Sequence, residues 1–242
     1  MVYHLKYCDK HNLEYNYICP KCIKPLLLKT QFSDLFEIRQ YQRDQSTKIS
    51  EVDLKTEYRT IGIIKIRFKR GIVHTGILIY DLNERIVIDE FFEKIPPKFT
   101  NYLPSILFLN WTEIYLQLIK NSGFNPDCYI VNSSGKIHPY LCGAACELGL
   151  RLDSSIIGYT KSLLFGVVKE MKNLKLRRQS IWGVFHEGNL LGYRIPKPNS
   201  TKHFYISVGN NISLESALKI FLNLDFKLFS LILVKIHNFF KK

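Results

Sequence analysis

The chain of 242 residues has few acidic side chains and contains no long apolar run. It has 21 Asp and Glu against 34 Lys and Arg, which leaves a formal charge of +13. No apolar stretch reaches the ~18 residues that a membrane-spanning helix needs. Charged and polar residues also interrupt the N-terminus where a signal peptide would have its apolar region. We therefore expect an intracellular protein, cytoplasmic or nuclear, without a membrane partner.

The excess of positive charge is typical of proteins that meet phosphate backbones. A lysine-rich surface without any such partner is the alternative reading. Apolar residues make up 46% of the chain, which argues against disorder. A chain of this length can bury one main core and carry one small appendage.

Cysteine is scarce, and three of the six cysteines fall near the N-terminus. Cys8, His11, Cys19 and Cys22 follow the pattern C-x2-H-x7-C-x2-C. Inside a cell such residues are metal ligands or free thiols more often than disulfides, and three thiolates with one imidazole form a tetrahedral zinc set. We predict a zinc-knuckle-like segment over residues 1–28 that depends on structural zinc for most of its folding free energy. The alternative is three buried thiols and an exposed histidine.

The rest of the chain, residues 29–242, is predicted to form one α/β domain. A linker at 25–30 and a polar helix at 31–45 precede three β-rich runs separated by hairpin turns, at 59–69, 72–81 and 85–93. Helices and strands then alternate. They are expected at 105–121, 128–131, 140–149, 155–159, 181–186, 190–195, 203–208, 213–223 and 227–240. A meander followed by this alternation suggests a ribonuclease H-like mixed sheet flanked by helices.

Five motifs occur in one order along this domain. They are Asn101-Tyr102-Leu103-Pro104; Gly135-x2-His138-Pro139 with Gly143-x-Ala145; Ile157-Gly158-x2-Lys161-Ser162-x3-Gly166; Gly188-x3-Gly192; and Ser207-x-Gly209-x2-Ile212-Ser213-x-Glu215-Ser216-Ala217. Together they resemble endonuclease V, a metal-dependent enzyme that incises DNA or RNA one phosphodiester beyond an inosine. The resemblance covers roughly residues 31–238, and the N-terminal Cys/His segment lies outside it.

The resemblance implies a catalytic site in which acidic residues hold magnesium against the scissile phosphate. Counting without gaps from Tyr102 places the four family positions on Lys65, Trp111, Asn132 and Asn210, so that each has changed. An ammonium about 4 Å from a divalent ion costs roughly 8 kcal/mol at an effective dielectric near 20. We therefore expect Lys65 to occupy the position of the metal itself. A different register would use Asp53 as the first acid but needs an insertion in the meander.

The binding residues of the family are largely retained. Tyr102 and Pro104 match the wedge loop, and aromatic rings there can stack on bases. Gly135 and Gly158 would admit a flipped base, with ordinary turn chemistry as the alternative. The remaining matches are His138, which orients the loop, and Lys161 with Ser162, near the phosphate. A basic run is a further candidate phosphate contact or a solvated face, at Lys169, Lys172, Lys175, Arg177 and Arg178.

Three hypotheses follow. The first is an endonuclease V-like pseudoenzyme that binds DNA or RNA, with or without inosine, but has lost metal-dependent cleavage. The second is an active magnesium-dependent inosine endonuclease in DNA repair or RNA processing, with metal ligands relocated near Asn132. Its candidate ligands are Asp53, Asp89, Glu90, Glu113 and Asp127. The third is a structural subunit of a larger protein or ribonucleoprotein assembly that docks through the zinc segment and the C-terminal helix.

Overall fold

Three long antiparallel strands begin the main sheet of the computed structural model, which describes residues 5–100, 103–176, 179–198 and 200–241. They are β3 (Thr60–Lys69), β4 (Ile72–Asp81) and β5 (Ile86–Ile95), and β4 lies between the other two. β-Branched residues dominate β3 and β4, as expected of strands that are buried on both faces. The predicted meander is confirmed.

Two short parallel strands occupy the centre of the sheet. β6 (Cys128–Val131) pairs in parallel with β3 on one side and with β7 (Ile156–Thr160) on the other. Helix α3 (Phe108–Ser122) precedes β6, and helix α4 (Ala144–Leu152) connects β6 to β7. Because these three strands are parallel, their carboxyl ends meet at one edge of the sheet. We call this edge, at Val131 and Thr160, the carboxyl edge, and the opposite one the amino edge.

Four further strands extend the sheet beyond β7. They are β8 (Val167–Leu176), β9 (Gln179–His186), β10 (Asn189–Pro196) and β11 (His203–Asn210), all antiparallel to their neighbours. The order across the nine described strands is β5-β4-β3-β6-β7-β11-β10-β9-β8. The sequence did not predict β8, where only the basic run was noted. This strand lies at an edge of the sheet, where charged residues are tolerated and hydrophobic alternation is weak.

Helices cover both faces of the sheet. α3 and α4 pack on one face, against a core that includes Ile64, Val131 and Ile156. The other face is covered by α5 (Leu214–Asn223) and α6 (Leu228–Phe239), which pack on a core that includes Ile63 and Tyr159. This mixed sheet between two helical layers confirms the predicted fold class. None of the described helices has the length and hydrophobicity to cross a bilayer.

The N-terminal segment packs on the α3–α4 side of the domain. It contains a small hairpin, β1 (Lys6–Cys8) with β2 (Leu13–Tyr15), and helix α1 (Pro20–Leu27), followed by α2 (Leu35–Ser46). The linker expected at 25–30 is wrong in its first half, because α1 continues to Leu27. The start of α1 suits Pro20, since the first helical N–H has no partner in any case.

The contacts of α1 and α2 form one apolar cluster with the start of α3. Its buried members are Ile18, Ile23, Leu27, Phe32, Leu35, Ile38, Phe99, Leu103, Ile106, Phe108 and Ala144. Further inward, the Gln42 amide on α2 donates to the carbonyls of Ser105 and Cys142 at 3.0 and 2.8 Å. Helix α2 thereby joins the N-terminal segment to the loops at the carboxyl edge.

Candidate functional site

A cleft of about 330 Å³ opens at the carboxyl edge of the sheet. Strand β3 contributes Ile66 and Phe68, and α3 with the turn before it contributes Leu107 and Trp111. The other lining residues are 132–134, after β6, and 160–164, at the end of β7. The cleft therefore lies where the carboxyl ends of the parallel strands meet, the usual place for a ligand in an open α/β sheet.

Asn132 and Trp111 both line this cleft. They are two of the four positions at which the family resemblance implies catalytic residues. Asn132 directly follows the last residue of β6 and is half-buried. Beside it, the Ser133 hydroxyl is buried and lies 2.8 Å from the Tyr115 hydroxyl of α3. The amide of Asn132 and the neighbouring hydroxyls are the polar groups that β6 presents here.

Lys65 lies in β3 but is not among the residues that line the cleft. The residue is 6% exposed, and its ammonium lies 3.4 Å from the Tyr159 hydroxyl and 5.2 Å from the centre of that ring. Burial, followed by the positive charge of Lys161, lowers the pKa of Lys65 to about 7. Tyr159 belongs to the core on the α5–α6 face, so the Lys65 side chain points to that face. Its role as a substitute for the metal stays a prediction.

Asn210 lies at the amino edge, away from the other three positions. It pairs with Ile156, the first residue of β7, whereas Asn132 follows the carboxyl end of β6. The buried Asn210 amide accepts from the Ser50 N–H at 2.9 Å and donates to the Gly149 carbonyl at 3.1 Å. These contacts give Asn210 a structural role in joining β11 to α4 and to the segment after α2.

The loop from 132 to 143 is held closely against β7 and β11. The Ser207 hydroxyl accepts from the N–H groups of Gly135 and Ile137 at 3.2 and 3.3 Å. A Cβ on Gly135 would lie 2.0 Å from the Val208 carbonyl oxygen, and one on Gly158 would lie 2.5 Å from the Gly135 nitrogen. Both positions therefore require glycine for backbone packing. Their contact with a flipped base stays a prediction.

His138 connects this loop to the turn before α3. Its Nε2–H donates to the Ser105 carbonyl at 2.8 Å, and its Nδ1 accepts from the Tyr140 N–H at 3.2 Å. Burial lowers the pKa of His138 to about 4, while the bond to Ser105 opposes the shift. The imidazole is therefore neutral at physiological pH and has both nitrogens occupied. This geometry supports the predicted role of His138 in orienting the loop.

Lys161 and Ser162 are exposed at the mouth of the cleft. The Thr160 hydroxyl donates to the Ser162 carbonyl at 2.8 Å and fixes the turn that follows β7. Lys161 is the one charged residue among the described residues that line the cleft. Pro104 is half-buried in the turn before α3, while Tyr102 and Asn101 lie outside the described residues. The same holds for Arg177 and Arg178 of the basic run.

Asp53 and Asp127, two of the candidate relocated ligands, bind backbone groups at the amino edge. Asp53 accepts from the N–H and hydroxyl of Ser213 and from the Ser216 hydroxyl, all within 2.9 Å, at the start of α5. Asp127 accepts from Thr60 and Arg59 N–H groups at 2.8 and 2.9 Å. Burial opposes the shift, but the hydrogen bond from Lys55, followed by these backbone hydrogen bonds, holds the pKa of Asp127 at about 2. Both carboxylates therefore have structural roles.

The other three candidate ligands lie on exposed surfaces. Glu90 forms an ion pair with Lys235 of α6 at 2.6 Å, and Asp89 precedes it on the edge strand β5. Glu113 pairs with Arg151 across α3 and α4. None of these carboxylates lines the cleft, as far as the structure describes its walls.

This donor set does not fit magnesium, the metal that the family resemblance implies. Magnesium is held in proteins through carboxylates, with water and phosphate oxygens completing an octahedron. The described walls of the cleft offer an amide, several hydroxyls and the ammonium of Lys161. Elsewhere in the described chain, three or more Asp, Glu, His or Cys side chains converge at one place only, the four N-terminal Cys and His residues.

Those four residues, Cys8, His11, Cys19 and Cys22, form a compact cluster. The His11 Nδ1 lies 3.5, 3.6 and 3.4 Å from the three sulfurs in chain order, and the sulfurs of Cys8 and Cys22 are 3.7 Å apart. A tetrahedron with Zn–S bonds of ~2.3 Å and a Zn–N bond of ~2.1 Å has S–S edges of ~3.8 Å and S–N edges of ~3.6 Å. The cluster has the dimensions of a tetrahedral zinc site.

Comparison with known proteins identifies the fold first. The human endonuclease V catalytic domain matches with a TM-score of 0.67 at 19% identity, covering 78% of this chain and 87% of that one. A Ciona intestinalis endonuclease V in complex with a 24mer DNA containing an inosine followed by a ribo-adenosine matches with a TM-score of 0.65 at 20% identity, covering 78% of this chain and 88% of that one. The architecture is therefore that of these nucleases.

Sequence comparison identifies the family. The model of the endonuclease V family matches residues 43–228. Endonuclease V of Thermofilum pendens is 26% identical over 170 residues, which is 70% of each chain. The Dictyoglomus thermophilum enzyme is 26% identical over 186 residues, 77% of this chain and 80% of its own. The chain belongs to the endonuclease V family, as its motifs predict, and the N-terminal Cys/His cluster precedes the matched region.

Proposed function

We propose that this member of the endonuclease V family binds DNA or RNA at the carboxyl edge without cleaving it. The observation that carries this proposal is the composition of the cleft, whose described walls contain Lys161 and neutral polar groups but no carboxylate. A phosphate can bind such a cleft directly, because no metal is needed to offset carboxylate charge. The described residues that line the cleft offer no carboxylate ligands for metal-assisted attack by water.

Family membership supports nucleic acid as the ligand. The structure of the Ciona relative is a complex with inosine-containing DNA, so an inosine-containing strand is the first ligand to test. The wedge-loop residue Tyr102, with Pro104 and Ser162, is proposed to contact the strand beside Lys161. Gly135 and Gly158 are proposed to bring backbone groups close to a base.

The decisive experiment measures binding and cleavage on the same strands. Inosine-containing and matched adenosine strands, as DNA and as RNA, are incubated with the full chain and magnesium or manganese. We expect retained binding, no product, and weaker binding by Lys161→Ala. An exposed lysine on the opposite face, Lys219, provides the matched control variant. Metal-dependent cleavage that Asp53→Ala abolishes would instead establish the relocated-ligand nuclease.

We also propose that Cys8, His11, Cys19 and Cys22 hold structural zinc and define residues 1–28 as a zinc-binding unit. The interatomic distances within the cluster support this proposal. Because a segment this short has no core of its own, zinc would supply most of its folding free energy. Metal analysis of the purified chain should give one zinc per molecule, and none for the double variant Cys19→Ser/Cys22→Ser. A stoichiometry of zero in the wild-type chain contradicts this part of the proposal.

A further inference from the structure

We infer that the N-terminal zinc segment is a second nucleic-acid contact surface, which binds the phosphate backbone of the strand held at the carboxyl-edge cleft. This inference rests on the proposed function. It adds a second site, formed by residues outside the region that the family model matches. Three features of the segment carry it: where it docks, what its free surface presents, and what charge it has.

The docking position places the segment beside the wedge loop. Its buried residues Ile18, Ile23 and Leu27 pack in the same cluster as Phe99, Leu103 and Ile106. Phe99 and Leu103 lie on either side of the motif residues 101–102. The N-terminal segment therefore packs against the described residues that flank this motif in the chain.

The free face of α1 is basic. Lys21 and Lys24 are exposed and lie three positions apart, so they project from the same side of the helix. Ile23 and Leu27 lie about a third of a turn away and are buried against the domain. Leu28 is 88% exposed at the end of the same basic face, and Tyr7 of the hairpin is 54% exposed. Aromatic and cationic side chains in this combination suit a nucleic-acid strand.

The charge of the segment favours phosphate. Residues 5–29 contain five lysines, all exposed, against two carboxylates, Asp9 and Glu14. Zinc with three thiolates contributes a charge of −1, which leaves a net charge of +2. In the described part of the chain none of these lysines forms an ion pair, although other surface lysines do, at Lys55, Lys136 and Lys235. The ammonium groups are therefore available to phosphate oxygens.

The test measures affinity of the zinc-loaded full chain for a labelled single strand over a range of salt concentrations. Each phosphate contact to a single strand contributes about 0.7 to the slope of log affinity against log salt. The variant Lys21→Ala/Lys24→Ala should therefore have a slope shallower by about 1.4, with unchanged zinc content. The control Lys219→Ala/Lys227→Ala removes two exposed lysines from the other face of the sheet and should leave the slope unchanged.

The outcomes separate this inference from the function on which it rests. If the wild-type chain binds and the Lys21/Lys24 variant has the same slope of log affinity against log salt as the wild type, the inference is wrong and the cleft alone binds the strand. Equal losses in both double variants would also overturn it, because binding would then follow overall charge. If the wild-type chain binds neither DNA nor RNA, the proposed function fails and the inference fails with it.

Discussion

Replacement of Lys65 by methionine should stabilise the protein at and below neutral pH. The Lys65 side chain is 6% exposed, and the described chain provides no carboxylate within ion-pair distance of it. Its nearest polar partner is the Tyr159 hydroxyl at 3.4 Å, a long and weak contact. Methionine has a similar length and no charge, so it can occupy the same space beside the Tyr159 ring without desolvation of an ammonium.

The size and sign of the effect follow from the pKa. Burial and the charge of Lys161 lower the pKa of Lys65 from 10.5 to about 7. The unfolded chain therefore binds more protons than the folded chain between these two values, and the free energy of unfolding rises with pH across that interval. At 1.36 kcal/mol for each pKa unit, the charged lysine costs up to about 5 kcal/mol at pH 6. This destabilisation is present below pH 7 and disappears as the pH approaches 10.5.

The measurement is urea-induced unfolding of wild type and Lys65→Met between pH 6 and pH 10. The difference between the two free energies of unfolding should favour the variant at pH 6 and shrink as the pH rises. Lys161→Met serves as the control, because it removes an exposed charge and raises the pKa of Lys65. Its free energy of unfolding should follow the pH dependence of the wild type with only a modest displacement. A difference that does not change with pH would refute the reasoning, because Lys65 would then titrate as a solvated lysine.

Three further predictions concern residues that hold the loops and helices of the fold in place. The free energy of unfolding of the wild type should fall by about 3 kcal/mol between pH 6.5 and pH 4, because the buried His138 imidazole has a pKa of about 4. His138→Phe should abolish this fall. Urea unfolding across that interval measures it, and a variant with the wild-type pH profile would contradict the prediction. Asp53→Ala should cost about 1–2 kcal/mol through loss of the contacts that start α5, whereas the exposed Asp89→Ala should have no measurable effect. Gly135→Ala should destabilise the protein by about 3 kcal/mol or more, because its Cβ would lie 2.0 Å from a carbonyl oxygen; a melting temperature equal to that of wild type would contradict the packing described for the loop.

Most of the fold could be predicted from local pattern, because the chain follows the usual rules where it forms the core. β4 and β6 have the predicted bounds, and most of their residues are buried, with β-branched or aromatic side chains in the majority. Pattern failed at helix α1 and at the edge strand β8. Helix α1 begins at a proline and contains a second one, Pro25, so its sequence has the composition of a linker. Tertiary contacts of Ile23 and Leu27 outweigh that local preference.

The directions of the side chains around the site were harder to predict, although alternation along β3 gives one of them. Side chains alternate along a strand, so Lys65 shares a face with Ile61 and Ile63, whereas Ile66 points to the opposite face. That opposite face holds α3 and the cleft, and Ile66 lines it. Counting residues from Tyr102 placed Lys65 at the family position but gave no direction for its side chain. The position of Asn210 at the amino edge depends on the antiparallel pairing of β11 with β7, which no local signal in the sequence contains.

The distribution of charge between the two edges of the sheet connects the fold to the proposed function. Asp81, Asp127 and Asp53 lie at the amino edge, where they accept hydrogen bonds from the ends of β3, β4 and α5. Lys161 lies at the carboxyl edge, directly after the last residue of β7. Carboxylates therefore stabilise the fold at one edge, whereas the described walls of the cleft at the other edge carry the positive charge of Lys161. Under the proposed function, phosphate binds there through this charge, so binding should weaken as salt concentration rises, and added magnesium should compete with Lys161 for phosphate rather than support cleavage.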